Sequence, residues 1–173
     1  MKAVGIVVGT ALALALQTTV ARMFVRGEVG VDLVLVAVLC ASLSSGPVTG
    51  LLTGTLAGLV QDALSTGTGV GVIGIGSFAK TTVGFFVGLI GTQFIVSQPL
   101  ARFVVFFAGS VAHSAIFIGL YALLGLRDVG VPYTAVLWQA LANAVIGVIA
   151  IQGVELLPGS VERRRMQRSR SRL

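Results

Sequence analysis

Two charged residues, Asp62 and Lys80, interrupt long apolar stretches of the sequence, and we expect both to lie at membrane depth. A charged side chain at membrane depth is costly, so one that occurs there is a candidate functional residue. Asp62 follows Gly58 by four residues, and Lys80 lies between Gly76 and Gly84. Both should therefore face the interior of a helix bundle. We expect the two to form an ion pair, with Lys80 about 6 Å deeper than Asp62 and within reach of a lysine side chain.

An alternative separates the two charges. Asp62 would lie in a loop at the level of the lipid headgroups, and Lys80 would extend alone toward that level. Neither interpretation makes these residues catalytic.

Other residue types that carry chemistry are scarce. Cys40 is the only cysteine and His113 the only histidine, which excludes a disulfide framework and a Cys/His metal cluster within one chain. No Walker lysine motif, paired carboxylates or Ser/His/Asp arrangement is apparent, and a histidine in mid-helix is typical of an interhelical hydrogen bond. We predict no catalytic residue, no metal and no cofactor, and hence no enzyme.

One glycine string matches a nucleotide-binding fingerprint by letters alone. Residues 69–74 read GVGVIG, but a dinucleotide site needs a preceding strand, a βαβ unit and an acid about 20 residues further on. We interpret this string instead as a turn that re-enters the membrane.

Three polar amides, Gln17, Asn143 and Gln152, interrupt apolar stretches. Such residues usually hydrogen-bond across a helix interface. They could equally line a small-molecule cavity, in which a few polar groups converge. The sequence leaves both interpretations open.

The composition indicates an all-α polytopic membrane protein, because 55% of the residues are hydrophobic and only 10% are charged. Backbone groups in hydrocarbon must be paired internally, and no stretch alternates as a barrel strand does. We predict about six transmembrane helices, from the apolar stretches Ala3 to Phe24, Leu33 to Ser45, Val48 to Leu64, Val70 to Ile90, Phe103 to Leu126 and Ala135 to Leu157.

Two of these stretches allow another interpretation. The second is short and is closed by Gly46-Pro47, where proline ends the helix, so the second and third stretches could form a hairpin that crosses incompletely. The first has features of a secretory signal, namely Lys2 and the alternating alanines from Ala11 to Ala15. Its apolar run nevertheless continues long enough to span.

Charge predicts the orientation and the domain limits. We expect a transmembrane domain over residues 1–158 and a basic cytoplasmic tail over residues 159–173. Arginine density next to a last helix holds that end in the cytoplasm, and six spans then place both termini there, with Gly46-Pro47 at the inner face and Ser65 to Gly69 at the outer face. The net charge of +6 does not indicate nucleic-acid binding, because it is concentrated in this tail without aromatic residues. We expect the tail to contact anionic lipid headgroups through Arg163, Arg164, Arg165, Arg168, Arg170 and Arg172.

Glycines recur every four residues in the third stretch. Gly50, Gly54 and Gly58 continue the row from Gly46, and Gly84 belongs to a similar row in the fourth stretch. Rows of small residues let helix backbones approach closely. We therefore expect the third and fourth helices to pack directly against each other.

The order of these motifs resembles the rod-shape-determining MreD family. The likeness is carried by the run from Gly46 to Phe94, which begins GPVTGLLTGTLAGLVQDALSTGTGVGVIG, and by Leu16-Gln17, Val31-Asp32-Leu33 and residues 141–144, LANA. The family usually has Pro-Asp-Leu where this chain has Val31-Asp32-Leu33. Membership implies a fold similar to the substrate-binding subunits of energy-coupling-factor transporters.

The resemblance also implies a function. The chain would be a noncatalytic scaffold of the bacterial cell-elongation machinery in the cytoplasmic membrane. Its partners would be an MreC-like single-span protein and, with it, the actin-like MreB and the peptidoglycan synthase pair. The alternative is a vitamin-type small-molecule binding subunit of a membrane transporter. The resemblance marks five structural or partner-facing positions: Gln17, Asp32, Asp62, Lys80 and Asn143.

Overall fold

The computed structural model describes residues 2–23, 30–66, 72–94, 96, 98–126 and 133–156. Over these ranges the chain forms six α-helices and no strand, so the predicted all-α class is confirmed. The basic tail with its six arginines lies outside the described residues. The helices are α1 (Lys2–Met23), α2 (Leu33–Ser45), α3 (Pro47–Thr66), α4 (Ile75–Gln93), α5 (Pro99–Leu123) and α6 (Tyr133–Leu156).

Among the described residues, three helices are long and apolar enough to cross a membrane, namely α4, α5 and α6. Shorter apolar segments occur at Val4–Thr19 in α1 and Leu33–Ser45 in α2. These helices support the membrane character predicted from composition, whereas the full count of six crossings and the likeness to transporter subunits stay predictions. The 13 residues of α2 measure about 20 Å, less than the ~30 Å hydrocarbon thickness of a bilayer.

The predicted break between the second and third helices is present at Gly46-Pro47. Gly46 adopts a φ of +91°, a conformation that glycine reaches without steric cost. Pro47 then opens α3, where its missing N–H is not needed. This sharp reversal brings α3 alongside α2.

α2 lies at the centre of the bundle. It packs against each of the other five helices, and Val34, Leu35, Val38 and Leu39 are completely buried. The ring of Phe106 in α5 joins this core. A central helix with buried side chains on several faces explains why the second stretch is apolar almost throughout.

Glycines bring α3 and α4 into backbone contact. A Cβ atom added to Gly54 would lie 2.7 Å from the Lys80 carbonyl oxygen. One added to Gly50 would collide with the carbonyl oxygen of Gly84, and one added to Gly58 with Cα of Ser77. The close approach expected from the glycine spacing is therefore present, and α4 fills the row on α3.

Candidate functional site

A buried ion pair joins α2 to α4. Nζ of Lys80, in the second turn of α4, lies 2.9 Å from Oδ2 of Asp32, and the two side chains are only 4% and 8% exposed. The same ammonium lies 3.3 Å from Nε2 of His113 in α5. The cluster thus connects three helices, and His113 makes the interhelical contact expected of a mid-helix histidine.

The predicted ion pair between Asp62 and Lys80 is wrong, because the carboxylate that pairs with Lys80 belongs to Asp32. Oδ2 of Asp62 instead accepts the backbone N–H groups of Gly74, at 2.8 Å, and Ser77, at 3.0 Å. N–H groups at the start of a helix have no intrahelical acceptor, and Lys80 lies more than one turn further along α4. Asp62 therefore caps α4 from α3. The alternative with Lys80 alone is also wrong, since Lys80 is buried and paired.

Asp32 uses its two carboxylate oxygens for different purposes. Oδ2 pairs with Lys80, whereas Oδ1 accepts the backbone N–H of Leu35 at 2.9 Å. The second contact makes Asp32 the N-cap of α2, a position at which a negative charge also complements the helix dipole. Asp32 thus links the start of the central helix to α4.

Two amide side chains form hydrogen bonds with the backbone groups of residues 31–33. Gln17 in α1 donates to the Val31 carbonyl and accepts from the Leu33 N–H, both at 2.9 Å. Oδ1 of Asn143 in α6 accepts the Asp32 N–H at 3.1 Å. These bonds pair backbone groups at the start of α2 that have no partner within the helix.

Asn143 also has a second contact, donating from Nδ2 to Oγ of Ser110 in α5 at 3.0 Å. Gln17 and Asn143 therefore act across helix interfaces, the first of the two interpretations of the amides. Gln152, the third amide, is exposed on α6. The residues Gln17, Asp32, Lys80, Ser110, His113 and Asn143 are called the core network below.

The core network lies deep in the bundle. Asn143 comes ten residues after the start of α6 at Tyr133, which corresponds to about 15 Å along the helix axis. The start of α2, which contacts Asn143, is therefore near the middle of the bundle. Asp32, at this start of α2, borders a space between α3, α4, α5 and α6.

A cavity of about 340 Å³ occupies this space. Asp32, Lys80 and His113 of the core network are part of its lining. The rest of the lining includes polar residues at the end of α3, aromatic residues of α5 and residues in the first turns of α6. Among them are Gln61, Asp62, Ser65, Phe117, Tyr121, Ala135 and Gln139. The volume lies at the lower end of the ~300–1,000 Å³ typical of small-molecule sites.

The aromatic face of α5 forms one wall of the cavity. His113, Phe117 and Tyr121 follow each other at intervals of four residues and therefore share a helix face. The ring centroids are 6.1 Å apart for His113 and Phe117 and 4.8 Å apart for Phe117 and Tyr121. This wall offers flat apolar surface directly beside the charged groups of the core network.

A second ion pair lies at the opposite end of the bundle. The guanidinium of Arg102, near the start of α5, donates to both oxygens of Glu155, near the end of α6, at 2.6 and 3.1 Å. Arg102 Nε also donates to the Val96 carbonyl at 3.2 Å. Neither Arg102 nor Glu155 is among the site residues predicted from the sequence. Their pairing could have been predicted, because the start of α5 and the end of α6 lie side by side if these two helices are antiparallel neighbours.

The other positions predicted from the sequence are the glycines of α3 and α4 and the arginines of the tail. Gly50, Gly54, Gly58 and Gly84 form the α3–α4 contact, whereas the lipid-facing arginines lie outside the described residues. Within the described ranges, no three His, Cys, Asp or Glu side chains are grouped as a metal ion would require.

Comparison of the chain with protein-family models, with curated proteins and with solved structures gives no significant match in any of the three.

Proposed function

We propose that the protein is a noncatalytic membrane scaffold of the MreD type, a subunit of the bacterial cell-elongation machinery that builds peptidoglycan. The observation that supports this most directly is the convergence of Gln17, Asp32, Lys80 and Asn143 on one buried network. The MreD-like motifs mark all four positions. Each side chain forms a hydrogen bond or an ion pair between helices or helix ends, as polar residues in membrane helix bundles commonly do.

In this proposal the chain crosses the cytoplasmic membrane six times, with both termini in the cytoplasm. The outer helix surfaces are apolar, as shown by the exposed Val7, Leu56 and Val104. They can contact lipid or the transmembrane helix of a partner. The glycine row of α3 is not that contact surface, because α4 already fills it.

The partner that we propose is an MreC-like single-span protein, which contacts these outer helix surfaces. Packing drives helix association in lipid, and nearly all of the described chain is helix. The actin-like MreB and the peptidoglycan synthase pair would join the assembly together with that partner.

Copurification tests the scaffold function. The full chain is coexpressed with an MreC-like protein, extracted in mild detergent and isolated through a tag on the chain. We expect the MreC-like protein to be retained after size-exclusion chromatography. The control is the same MreC-like protein with its transmembrane helix replaced by an unrelated one, which we expect to be lost. Equal retention of both forms, or of neither, contradicts contact through the membrane helix.

The cavity favours a second candidate function, a small-molecule binding subunit of a membrane transporter. Its mixture of apolar wall and converging polar groups is typical of ligand sites. This candidate predicts copurification with energising transport subunits rather than with an MreC-like protein. It also predicts a small molecule that is released when the purified protein is denatured.

A further inference from the structure

Two residues that line the cavity each have a buried polar atom without a hydrogen-bond partner among the described residues. These atoms are Nδ1 of His113 and Oε1 of Gln61. His113 is only 6% exposed. A buried polar atom without a partner costs free energy, so it calls for an explanation such as an absent ligand or ion. Both residues line the cavity, so a ligand bound there would lie beside their side chains.

The surroundings of His113 define what its free nitrogen requires. An ammonium group can only donate hydrogen bonds, so Nε2 of His113 accepts from Lys80. In the neutral imidazole the proton is then on Nδ1, which is a donor. The missing partner of His113 is therefore a hydrogen-bond acceptor.

The charges around the cavity favour a positive group elsewhere on the same ligand. The charged side chains among its lining residues are Asp32, Asp62 and Lys80, and Lys80 is already paired with Asp32. Asp62 accepts only backbone N–H groups in the described contacts, so its carboxylate has no cationic partner among them. Oε1 of Gln61, the neighbouring residue, also needs a donor.

The aromatic wall adds a preference for a flat body. Phe117 and Tyr121 line the cavity, and their ring centroids are 4.8 Å apart. Aromatic surfaces bind flat rings through stacking and attract positive charge through their quadrupoles.

We propose that the cavity binds a small organic molecule that combines a flat ring, a hydrogen-bond acceptor for His113 and a positively charged nitrogen near Gln61 and Asp62. The proposal names the ligand class of the second candidate function and depends on that candidate's cavity. It applies equally to a scaffold that responds to such a ligand.

Three matched probes separate these requirements. Pyridylethylammonium carries the ring, the acceptor and the charge. Phenethylammonium lacks the acceptor, and pyridylethanol lacks the charge. Binding to the purified full chain in lipid nanodiscs is measured by calorimetry at slightly alkaline pH, where the pyridine is neutral. We expect pyridylethylammonium to bind best, with Kd raised at least about tenfold for each missing feature, the scale of one hydrogen bond.

Substitutions assign each preference to its residue. Asp62→Asn removes the charge but keeps an oxygen that can cap α4, so the preference for the ammonium over the alcohol should disappear. His113→Phe keeps a ring on α5 and should abolish the preference for pyridyl over phenyl. Glu155→Gln also removes one carboxylate, but at the opposite end of the bundle. It should leave both preferences unchanged.

If none of the three probes binds, the cavity does not take a ligand of this class and the proposal is wrong. Equal binding of alcohol and ammonium, or an ammonium preference that survives Asp62→Asn, would also overturn it. If Asp62→Asn does not fold, Gln61→Glu replaces it, since an added charge at that position should strengthen ammonium binding. Capture of the MreC-like partner is measured separately, so the scaffold function can fail or hold independently of this result.

Discussion

Asp32 concentrates several structural roles in one residue. It caps α2, pairs with Lys80, and has its own N–H bound by Asn143. A buried ion pair is not by itself a source of stability, because desolvation offsets the attraction between its charges. Removing one partner is nevertheless costly, since the other charge is left buried without compensation. The pair therefore specifies how α2 meets α4 more than it stabilises the bundle.

Substitution at Asp32 and Lys80 tests this pairing. Asp32→Asn keeps an oxygen for the Leu35 cap but removes the charge, and Lys80→Met removes the ammonium. Each single change should destabilise the protein by about 3–5 kcal/mol, the range for buried pairs in soluble proteins. The double variant should recover part of that loss, with a coupling of about 0.5–3 kcal/mol. Thermal unfolding in detergent provides the measurement.

The control cycle combines Lys80→Met with Asp62→Asn. The Asp62 carboxylate accepts backbone N–H groups at the start of α4 and is not the one paired with Lys80, so these two losses should be close to additive. Stronger coupling in this control than in the Asp32 cycle would contradict the pairing described here.

Glycines determine how closely α3 and α4 pack. The row from Gly50 to Gly58 faces the backbone of α4, and the positions of the added Cβ atoms leave no room for a larger residue. In lipid, where hydrophobic burial does not drive helices together, such close contact supplies the packing energy. Any side chain added to this interface must separate the two helices.

One substitution made at two glycines tests this interface. Gly54→Leu should destabilise the bundle by at least about 1–3 kcal/mol, because overpacking forces the backbones apart. Gly9→Leu makes the same chemical change on α1, where an added Cβ meets no atom within 4 Å, and should alter stability by less than about 0.5 kcal/mol. The yield of monodisperse protein and its unfolding temperature provide the comparison. Equal tolerance at both sites would argue against the close α3–α4 contact.

The helices themselves could be predicted because length, hydropathy and Gly46-Pro47 are local signals. The α2 stretch, Leu33–Ser45, is reproduced without change. The partner of Lys80 could not be predicted in this way, because the local sequence around Asp32 does not place it beside α4. Its true depth follows from the position of α2 in the bundle, which depends on contacts with Gln17 and Asn143. The 13-residue length of α2 does indicate such a depth, because a helix that short cannot begin at one membrane face and end at the other.

The whole molecule has two chemically different ends. One end carries the Gly46-Pro47 turn and the pair formed by Arg102 and Glu155. The other contains the cavity and Asp62. If the arginine-rich tail holds the C-terminus in the cytoplasm, the cavity opens toward the outer face of the membrane.

Cysteine labelling in intact cells tests this orientation. In a Cys40→Ala background, Ser65→Cys should react with a membrane-impermeant thiol reagent, whereas Ser169→Cys should react only after the cells are opened. Both expectations follow from the charge bias of the tail. The opposite pattern would reverse the orientation and direct the cavity toward the cytoplasm.

The deep start of α2 also has a consequence for biogenesis. Proteins are made from the N-terminus, so Asp32 leaves the ribosome before Lys80 and long before Asn143. A carboxylate at that depth is costly until its partners are present, and α2 is too short to cross a bilayer of typical thickness. We therefore expect α2 to reach its final depth only after the later helices have been inserted. The central helix of the finished bundle would then be among the last helices to reach its final position.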